Sequence, residues 1–301
     1  MHLLHQKRLN QSVFMSAPEI TLFGVPKTPI HTLGLGVFDG LHRGHMAIAS
    51  QCQAILTLSP HPALVLGKKT SLKILSTLQE LRHLFPQVIH LPFTKEVSQL
   101  EPTVFLETVI YNRLAPTKII VGYDYRFGAG GKGDFAFLEN WASRHGIETV
   151  QISPLSYNGQ VVKSSDIRTY LLEGPFDQAI ALLGHPYLIM GPVVHGEGRG
   201  KKLGFPTANL QLPTHKLVPQ LGVYAGTVLI KKESRPAIIY IGKKPTFGEH
   251  EVVVEVHIPG FNQPLYGKNL AVFLTKKIRG EMVFTGPEAL IKQIQLDLTA
   301  I

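Results

Sequence analysis

The chain has a single cysteine, Cys52, among its 301 residues. One cysteine excludes an intramolecular disulfide, and it excludes zinc and iron–sulfur sites built from cysteine ligands. No run of about 18 apolar residues occurs, so no membrane-spanning helix is predicted. The first residues, MHLLHQK, lack the apolar core of a signal peptide. We therefore expect a cytoplasmic protein in a reducing compartment, with no membrane partner.

Acidic residues are also few. Lysine and arginine number 30 against 21 aspartates and glutamates, which gives a net charge of +9. Such an excess is typical of proteins that bind phosphate-bearing ligands or nucleic acid. The basic residues are scattered rather than gathered in a tail, so a small polyphosphate ligand is favoured and no nucleic acid is expected. The sequence gives no expectation for the oligomeric state.

The two halves of the chain differ in pattern. Between residues 31 and 125, apolar runs alternate with helical patterns, which predicts a parallel α/β sheet. Its predicted strands lie at 31–38, 54–58, 88–91 and 118–121, and its helices at 76–84 and 103–114. After a turn-rich linker at 182–187, short β-rich runs predict an antiparallel barrel or sandwich. Those runs lie at 187–194, 222–230, 237–241, 251–258 and 270–274, before a helix at 287–298.

The segment GVFDGLHRGH at residues 36–45 overlaps the end of the first predicted strand, and it places His42 and His45 around Gly44 just after that strand. A glycine-rich turn between a strand and a helix lets backbone N–H groups and imidazoles converge on a phosphate. In parallel sheets, ligands bind at the C-terminal ends of the strands, where this segment lies. The alternatives are that the two histidines are ordinary turn residues or a metal pair, with Asp39 as the one acidic residue nearby.

This segment and four later ones resemble the adenylyltransferase domain of bacterial bifunctional riboflavin kinase/FAD synthetases. The later segments are SPHP at 59–62, LPFT at 91–94, VGYDYRFG at 121–128 and SSDIR at 164–168. The resemblance implies that three residues stabilise negative charge at the α-phosphorus of ATP: His42, His45 and Arg168. It implies further nucleotide contacts from Gly36, Phe38, Asp39, Gly40, Gly44, Ser164 and Ser165, and flavin contacts from Asp124, Arg126 and Phe127. Considered alone, Arg126 could pair with Asp124, and Ser164 and Ser165 could cap a helix at 167–172.

The segment GPVVHGEGRGKKLGFPTAN at residues 191–209 resembles the riboflavin kinase domain of the same family, and it contains no Walker A loop. The resemblance implies a glycine-rich flap over the ATP phosphates, formed by Gly196, Gly198 and Gly200. It also implies further nucleotide contacts from Lys201, Gly204 and Pro206. Thr207 and Asn209 supply neutral oxygens of the kind that Mg²⁺ accepts beside phosphate oxygens, and they are the predicted metal ligands. Arg279 is assigned by the resemblance to the flavin.

Glu255 lies in a predicted strand, where alternation places it on one face with Val253 and His257. An acidic residue on a strand is by itself most simply a charge that faces solvent. Its position after the PTAN segment at 206–209 matches the catalytic carboxylate of the family. The resemblance therefore implies that Glu255 is the general base of the kinase reaction.

The resemblance covers nearly the whole chain and implies two domains. Residues 1–184 are expected to form an α/β nucleotidyltransferase domain with a Rossmann-like parallel sheet. Residues 185–301 are expected to form a six-stranded antiparallel β-barrel kinase domain. The implied reactions phosphorylate riboflavin with ATP to FMN, and then adenylylate FMN with a second ATP to FAD, releasing pyrophosphate. Riboflavin, FMN, ATP and Mg²⁺ are thus the expected ligands.

The sequence departs from the pattern of the family in four places. Lys163 stands where a serine is usual, and the fourteen residues 46–59 leave room for only about two helical turns before the next strand. These two departures keep open a kinase-only enzyme with a degenerate first domain. In the kinase half, YIG at 240–242 replaces Asn-Ile-Gly, and GF at 260–261 replaces Asp-Phe. A non-catalytic nucleotide- or RNA-binding protein is the remaining alternative.

Overall fold

The computed structural model describes residues 21–67, 71–245 and 250–301 of the chain. They form two compact units. The first contains the described residues up to Leu72 together with Leu81–Val162, and the second contains Lys73–Glu80 together with Lys163–Ile301. The N-terminal segment MHLLHQK lies outside the described residues. The boundary at 184/185 between the two activities stays a prediction.

Thirteen strands occur in the described residues. They are β1 (Thr32–Leu35), β2 (Ala54–Ser59), β3 (Val88–Pro92), β4 (Lys118–Gly122), β5 (Glu148–Ile152), β6 (Ser156–Tyr157), β7 (Gln160–Val161), β8 (Tyr187–Val194), β9 (Thr207–Leu210), β10 (Gly222–Ile230), β11 (Glu233–Pro245), β12 (His250–His257) and β13 (Asn269–Arg279).

The α-helices of the described residues are mostly short. They are α1 (Arg43–Ala49), α2 (Pro62–Val65), α3 (Leu78–Leu84), α4 (Lys95–Ser98), α5 (Pro102–Phe105), α6 (Asn112–Leu114), α7 (Phe135–Ser143), α8 (Ser164–Leu172), α9 (Phe176–Leu183), α10 (Arg199–Lys202) and α11 (Pro287–Leu298). A π-helical turn, Leu106–Tyr111, joins α5 to α6. No helix in the described part of the chain is both long and apolar enough to cross a membrane.

The first unit is built on a five-stranded sheet in the order β3-β2-β1-β4-β5. All four strand pairs are parallel. The apolar runs of β1, β2 and β4 are buried because a parallel sheet is covered on both faces. Leu33, Ile119 and Val121 of the sheet pack in one core with Leu106 and Trp141. The predicted parallel α/β sheet is confirmed, and the C-terminal ends of β1 and β4 lie side by side.

The second unit is built on a closed barrel in the order β10-β11-β12-β9-β8-β13, with every neighbouring pair antiparallel. Alternate residues point into the barrel, where Tyr224, Ile239 and Val254 are almost completely buried. The predicted six-stranded antiparallel barrel is confirmed. The strand β9, which contains the segment TANL, was not predicted as a strand.

A buried ion pair fastens residues Lys73–Glu80 to the barrel unit. Lys216 Nζ lies 2.9 Å from Glu80 Oε2, and both side chains are fully buried. The pair is completed by backbone groups: Lys216 donates to the carbonyl of Leu188, and Glu80 accepts from the amide of Met190. These extra hydrogen bonds satisfy charges that would otherwise be costly to bury.

Candidate active sites

A cavity of about 370 Å³ lies on the outer face of the barrel. Its walls are the barrel strands, the glycine-rich segment at 196–206 and the helix α11. A volume of this size is typical of a site for a small molecule. Of the residues predicted for the kinase half, the lining includes Gly198, Gly200, Thr207, Asn209, Glu255 and Arg279.

One transverse row of the barrel forms the floor of this cavity. The strand register pairs each member with the next across four strand boundaries. In order, the row is Arg279, Val223, Tyr240, Glu255 and Asn209, and all five line the cavity. Directly opposed side chains on one face of a sheet lie about 4.5–5.5 Å apart at Cβ, so the row forms one continuous surface.

Thr207 orients the carboxylate of Glu255, the predicted general base. The Thr207 hydroxyl donates a hydrogen bond of 2.9 Å to Glu255 Oε2, and both side chains are half-buried. Asn209 is the register partner of Glu255, and His257 is that of Thr207. His257 also fixes the neighbouring backbone, because its Nδ1 donates to the carbonyl of Pro206 over 2.9 Å. Sequence reasoning gave His257 no role in the site.

The glycine-rich segment packs directly against these side chains. At Gly196 a Cβ would overlap the amide of Asn209, and at Gly200 it would overlap the carbonyl of Phe205. Glycine at these two positions therefore allows the backbone to approach the predicted metal ligands closely. Lys201, Gly204 and Pro206 belong to the same segment but are not part of the cavity lining.

The donors available for a cation are oxygens. Thr207 and Asn209 alternate along β9 and share the face that lines the cavity. Thr207 gives its proton to Glu255, so its oxygen keeps lone pairs for a cation. Within the described residues, no group of three or more histidine, cysteine or acidic side chains could hold a metal. This donor set fits Mg²⁺, which commonly binds through few protein oxygens together with substrate phosphates and water.

Arg279 is anchored by a residue that the sequence analysis did not identify. Its Nη2 lies 2.8 Å from Oδ2 of Asp297, and its Nε lies 3.0 Å from Oδ1. Asp297 is 3% exposed and belongs to α11, so this two-point pair fastens the helix to β13. The Arg279 guanidinium also lies 5.8 Å from the ring centre of Phe284. The periodic apolar pattern predicts α11, but it does not predict that Asp297 pairs with Arg279, which lies 18 residues earlier in the chain.

In the first unit, the segment GVFDGLHRGH forms a tightly folded turn after β1. Phe38, Gly40 and Leu41 have φ angles of 55°, 85° and 41°. Positive φ is rare for bulky residues such as Phe38 and Leu41, and strained backbone of this kind concentrates at functional sites. Asp39 and the rings of Phe38 and His42 are buried, and the Phe38 ring packs over Gly36.

His42 caps the helix that follows. Its Nδ1 accepts from the amide of His45 over 3.2 Å, so the neutral imidazole carries its proton on Nε2. The rings of His42 and His45 stack with centroids 3.6 Å apart. Gly44 lies beneath the His42 ring, where a Cβ would stand 3.2 Å from Cε1. The helix α1 has seven residues, which agrees with the short connection predicted from the sequence.

The residues predicted for the flavin side lie after β4. Asp124 and Arg126 are exposed, whereas Phe127 is 7% exposed and belongs to the core of the sheet unit. Arg126 pairs with Asp134 at 3.4 Å, so the alternative that it pairs with Asp124 is wrong.

The remaining predicted nucleotide contacts lie in the second unit. Ser164 and Ser165 are the first two residues of α8, and Lys163 occupies the N-cap position without a capping hydrogen bond from its side chain. The alternative that the serines cap this helix is therefore wrong. Arg168 lies on the same helix, and its Nε donates to the carbonyl of Lys73 over 2.9 Å.

Comparisons with known proteins match both halves of the chain. A family model described as FAD synthetase matches residues 26–166, and one described as riboflavin kinase matches residues 183–301. A crystal structure described as a macrolide-efflux protein from Streptococcus pneumoniae shares the fold, with a TM-score of 0.76 and 27% identity over 92% of this chain and 95% of that one.

Two relatives carry the name bifunctional riboflavin kinase/FMN adenylyltransferase. The protein from Listeria monocytogenes is 31% identical over 282 residues, which cover 88% of this chain and 89% of that protein. The protein from Bacillus subtilis is 33% identical over 285 residues, with the same coverage of both chains. Similarity at this level over nearly the whole length shows that the chain belongs to the family of bifunctional riboflavin kinase/FMN adenylyltransferases.

Proposed function

We propose that this chain makes FMN from riboflavin and ATP at the cavity of the barrel, and FAD from FMN and a second ATP in its adenylyltransferase half. Family membership supports both activities, because each half matches its own family model. The observation that carries the kinase assignment is the contact between Thr207 and Glu255 on the cavity floor.

At the barrel site, Glu255 acts as the general base. It takes the proton of the terminal ribityl hydroxyl of riboflavin. The oxygen of that hydroxyl attacks the γ-phosphorus of ATP, the bond from the γ-phosphorus to the β,γ-bridging oxygen breaks, and ADP leaves. Thr207 orients the carboxylate through the hydrogen bond to Oε2. Phosphoryl transfer depends mainly on positioning and on stabilisation of charge, which the glycine-rich segment supports by closing over the phosphates.

Thr207 and Asn209 would hold Mg²⁺ when it is bound with ATP. The cation would neutralise the charge that develops on the phosphate oxygens. The support for this proposal is the donor set itself, which consists of two neutral oxygens on one strand face next to the Glu255 carboxylate. Arg279 would meet the flavin at the other end of the cavity floor.

In the adenylyltransferase half, the phosphate of FMN attacks the α-phosphorus of ATP and pyrophosphate leaves. His42 and His45 would stabilise the charge that develops there, without a covalent intermediate. The proton on Nε2 of His42 is suited to this role, because Nδ1 is already used to cap the helix. The role of Arg168 at the triphosphate is proposed on the resemblance. The other contacts of this half are proposed on the resemblance. They are nucleotide contacts at Gly36, Phe38, Asp39, Gly40, Gly44, Ser164 and Ser165, and flavin contacts at Asp124, Arg126 and Phe127.

We place the two activities in residues 1–184 and 185–301, and the protein in the cytoplasm. The single cysteine, which has no disulfide partner within the chain, is compatible with a reducing compartment. ATP, riboflavin and FMN are the substrates that the family implies.

The purified protein tests this function directly. Riboflavin and Mg·ATP should give FMN and then FAD, separated by chromatography and detected by flavin absorbance. FMN and ATP alone should release pyrophosphate. FMN that accumulates without FAD would favour the kinase-only enzyme. Salt-dependent binding to single-stranded RNA without ATP turnover would favour the non-catalytic alternative.

A further inference from the structure

Tyr240 is the one polar residue of the cavity floor to which the proposed chemistry gives no role. It stands between Val223 and Glu255 in the transverse row, and its half-buried ring lines the cavity. It is also the position at which this sequence departs from the Asn-Ile-Gly pattern of its family. Its chemistry is therefore a property of this chain rather than of the family pattern.

Two neighbours fix the orientation of the phenol. The Tyr240 hydroxyl donates to Glu281 Oε1 over 3.1 Å, and Glu281 follows β13 two residues after Arg279. The phenol also lies over Gly242, where a Cβ would overlap the phenolic oxygen. The ring therefore packs against the backbone of its own strand, and the hydroxyl proton points to Glu281.

The charges around the phenol keep its proton in place. Burial, the hydrogen bond to Glu281 and the negative charges of Glu281 and Glu255 raise the pKa of Tyr240 to about 12, although the positive charge of Arg279 opposes this change. The hydroxyl is thus protonated at neutral pH and gives that proton to Glu281. A phenolic oxygen that donates once can still accept a hydrogen bond, so it presents an acceptor beside Glu255.

The substrate of the proposed kinase reaction carries a chain of hydroxyl groups. With the terminal hydroxyl at Glu255 and the flavin at Arg279, as proposed above, the inner hydroxyls lie along the part of the row between them, which contains Tyr240. We propose that Tyr240 is a specificity-determining residue whose phenolic oxygen accepts a hydrogen bond from one inner ribityl hydroxyl and so places the terminal hydroxyl at Glu255. This inference rests on the proposed kinase function of the barrel site.

The test compares riboflavin with analogues that lack one ribityl hydroxyl, at the 2′, 3′ or 4′ carbon, as substrates of the full-length enzyme. The unmodified enzyme should lose about tenfold in kcat/KM on one of these analogues, which corresponds to one hydrogen bond. Tyr240→Phe should lose a similar factor on riboflavin and nothing further on that analogue. Gly242→Ala, which displaces the phenol, should behave in the same way.

Tyr224→Phe is the matched control, because it removes a phenolic oxygen from a tyrosine of the same barrel that bonds to the Gln220 carbonyl and does not line the cavity. It should lower the melting temperature and leave the preference among analogues unchanged. The proposal is overturned if Tyr240→Phe discriminates among the analogues as the unmodified enzyme does, or if Tyr224→Phe removes the discrimination equally. If the unmodified enzyme phosphorylates no flavin at all, the proposed function fails, and this inference fails with it.

Discussion

The hydroxyl of Thr207 donates to Oε2 of Glu255 across two paired strands of the barrel, over 2.9 Å. This contact joins two segments that lie 48 residues apart in the chain. It gives the carboxylate a fixed orientation toward the cavity before any substrate arrives. The proposed general base and the glycine-rich segment proposed for the phosphates therefore line the same cavity of the barrel.

Glu255→Gln should lower FMN formation by about 10²–10⁴, the factor typical for loss of a general base. The variant keeps the size of the side chain, so its melting temperature should stay near that of the unmodified protein. Conversion of added FMN to FAD should continue. The exposed Glu233, changed to glutamine, is the matched control on a neighbouring strand and should leave both rates unchanged. Full FMN production by Glu255→Gln would remove Glu255 from its role.

Thr207→Val should lower kcat for FMN formation by about tenfold or more, because a hydrogen bond to a charged group contributes about 1.5–3 kcal/mol. Thr207→Ser keeps the hydroxyl and should retain most of the activity. Steady-state kinetics at saturating Mg²⁺ and ATP measure both variants. If Thr207→Val keeps full activity while Thr207→Ser loses it, the methyl group matters and the hydrogen bond does not.

His42→Asn and His42→Ala separate two roles of one residue. Both remove the imidazole and should lower pyrophosphate release from FMN and ATP by about 10²–10³. Asparagine still caps a helix, whereas alanine does not, so only His42→Ala should lose about 0.5–2 kcal/mol of stability in urea. FMN formation is the internal control and should persist in both. Unchanged pyrophosphate release in His42→Asn would show that capping is the only role of His42.

Lys216→Met should destabilise the protein by about 3–5 kcal/mol, because it leaves the Glu80 carboxylate buried without its partner. Adding Glu80→Gln should cost less than the sum of the two single changes. Lys118→Met is the matched control: the ion pair of Lys118 with Glu148 has a similar length, 2.8 Å, but joins a half-buried lysine to an exposed glutamate. It should cost less than about 1 kcal/mol. Equal losses for Lys216→Met and Lys118→Met in urea unfolding would contradict this account.

The sequence predicted those elements whose pattern is local. The strands Tyr187–Val194 and Gly222–Ile230 and the helix Pro287–Leu298 were predicted with the bounds that the structure has. Their apolar residues recur at the periods of a strand or a helix, and proline or glycine marks their ends. The strand Glu148–Ile152 was missed because its side chains are largely exposed or half-buried at the edge of the sheet. It therefore lacks the apolar run that marks β1 and β4.

The sequence predicted the motifs of the site, but it did not predict the contacts between their residues and distant parts of the chain. The motifs identified Thr207, Asn209 and Glu255, which the barrel brings to one cavity. Asp297, Tyr240 and Glu80 have partners between 18 and more than 100 residues away. No spacing rule predicts such pairs, since they depend on how strands are ordered in a closed barrel. The same reason explains why the sequence could not show that Lys73–Glu80 would join the barrel unit.

Cys52 should react slowly with a thiol reagent in the native protein. Burial raises the pKa of its thiol from 9.0 to about 11, and the sulfur donates to the carbonyl of Ile48 over 3.2 Å. Only the thiolate is a nucleophile, so the native reaction rate should keep rising with pH toward about 11 instead of levelling near 9. Because the folded pKa is raised, the unfolded state loses its proton first. Stability should therefore decline between pH 9 and about 11. Urea-unfolded protein is the control for the reaction rate: there the rate with the same reagent should level near pH 9, the ordinary pKa of the thiol. A native rate that levels near pH 9 would show that the thiol is open to solvent.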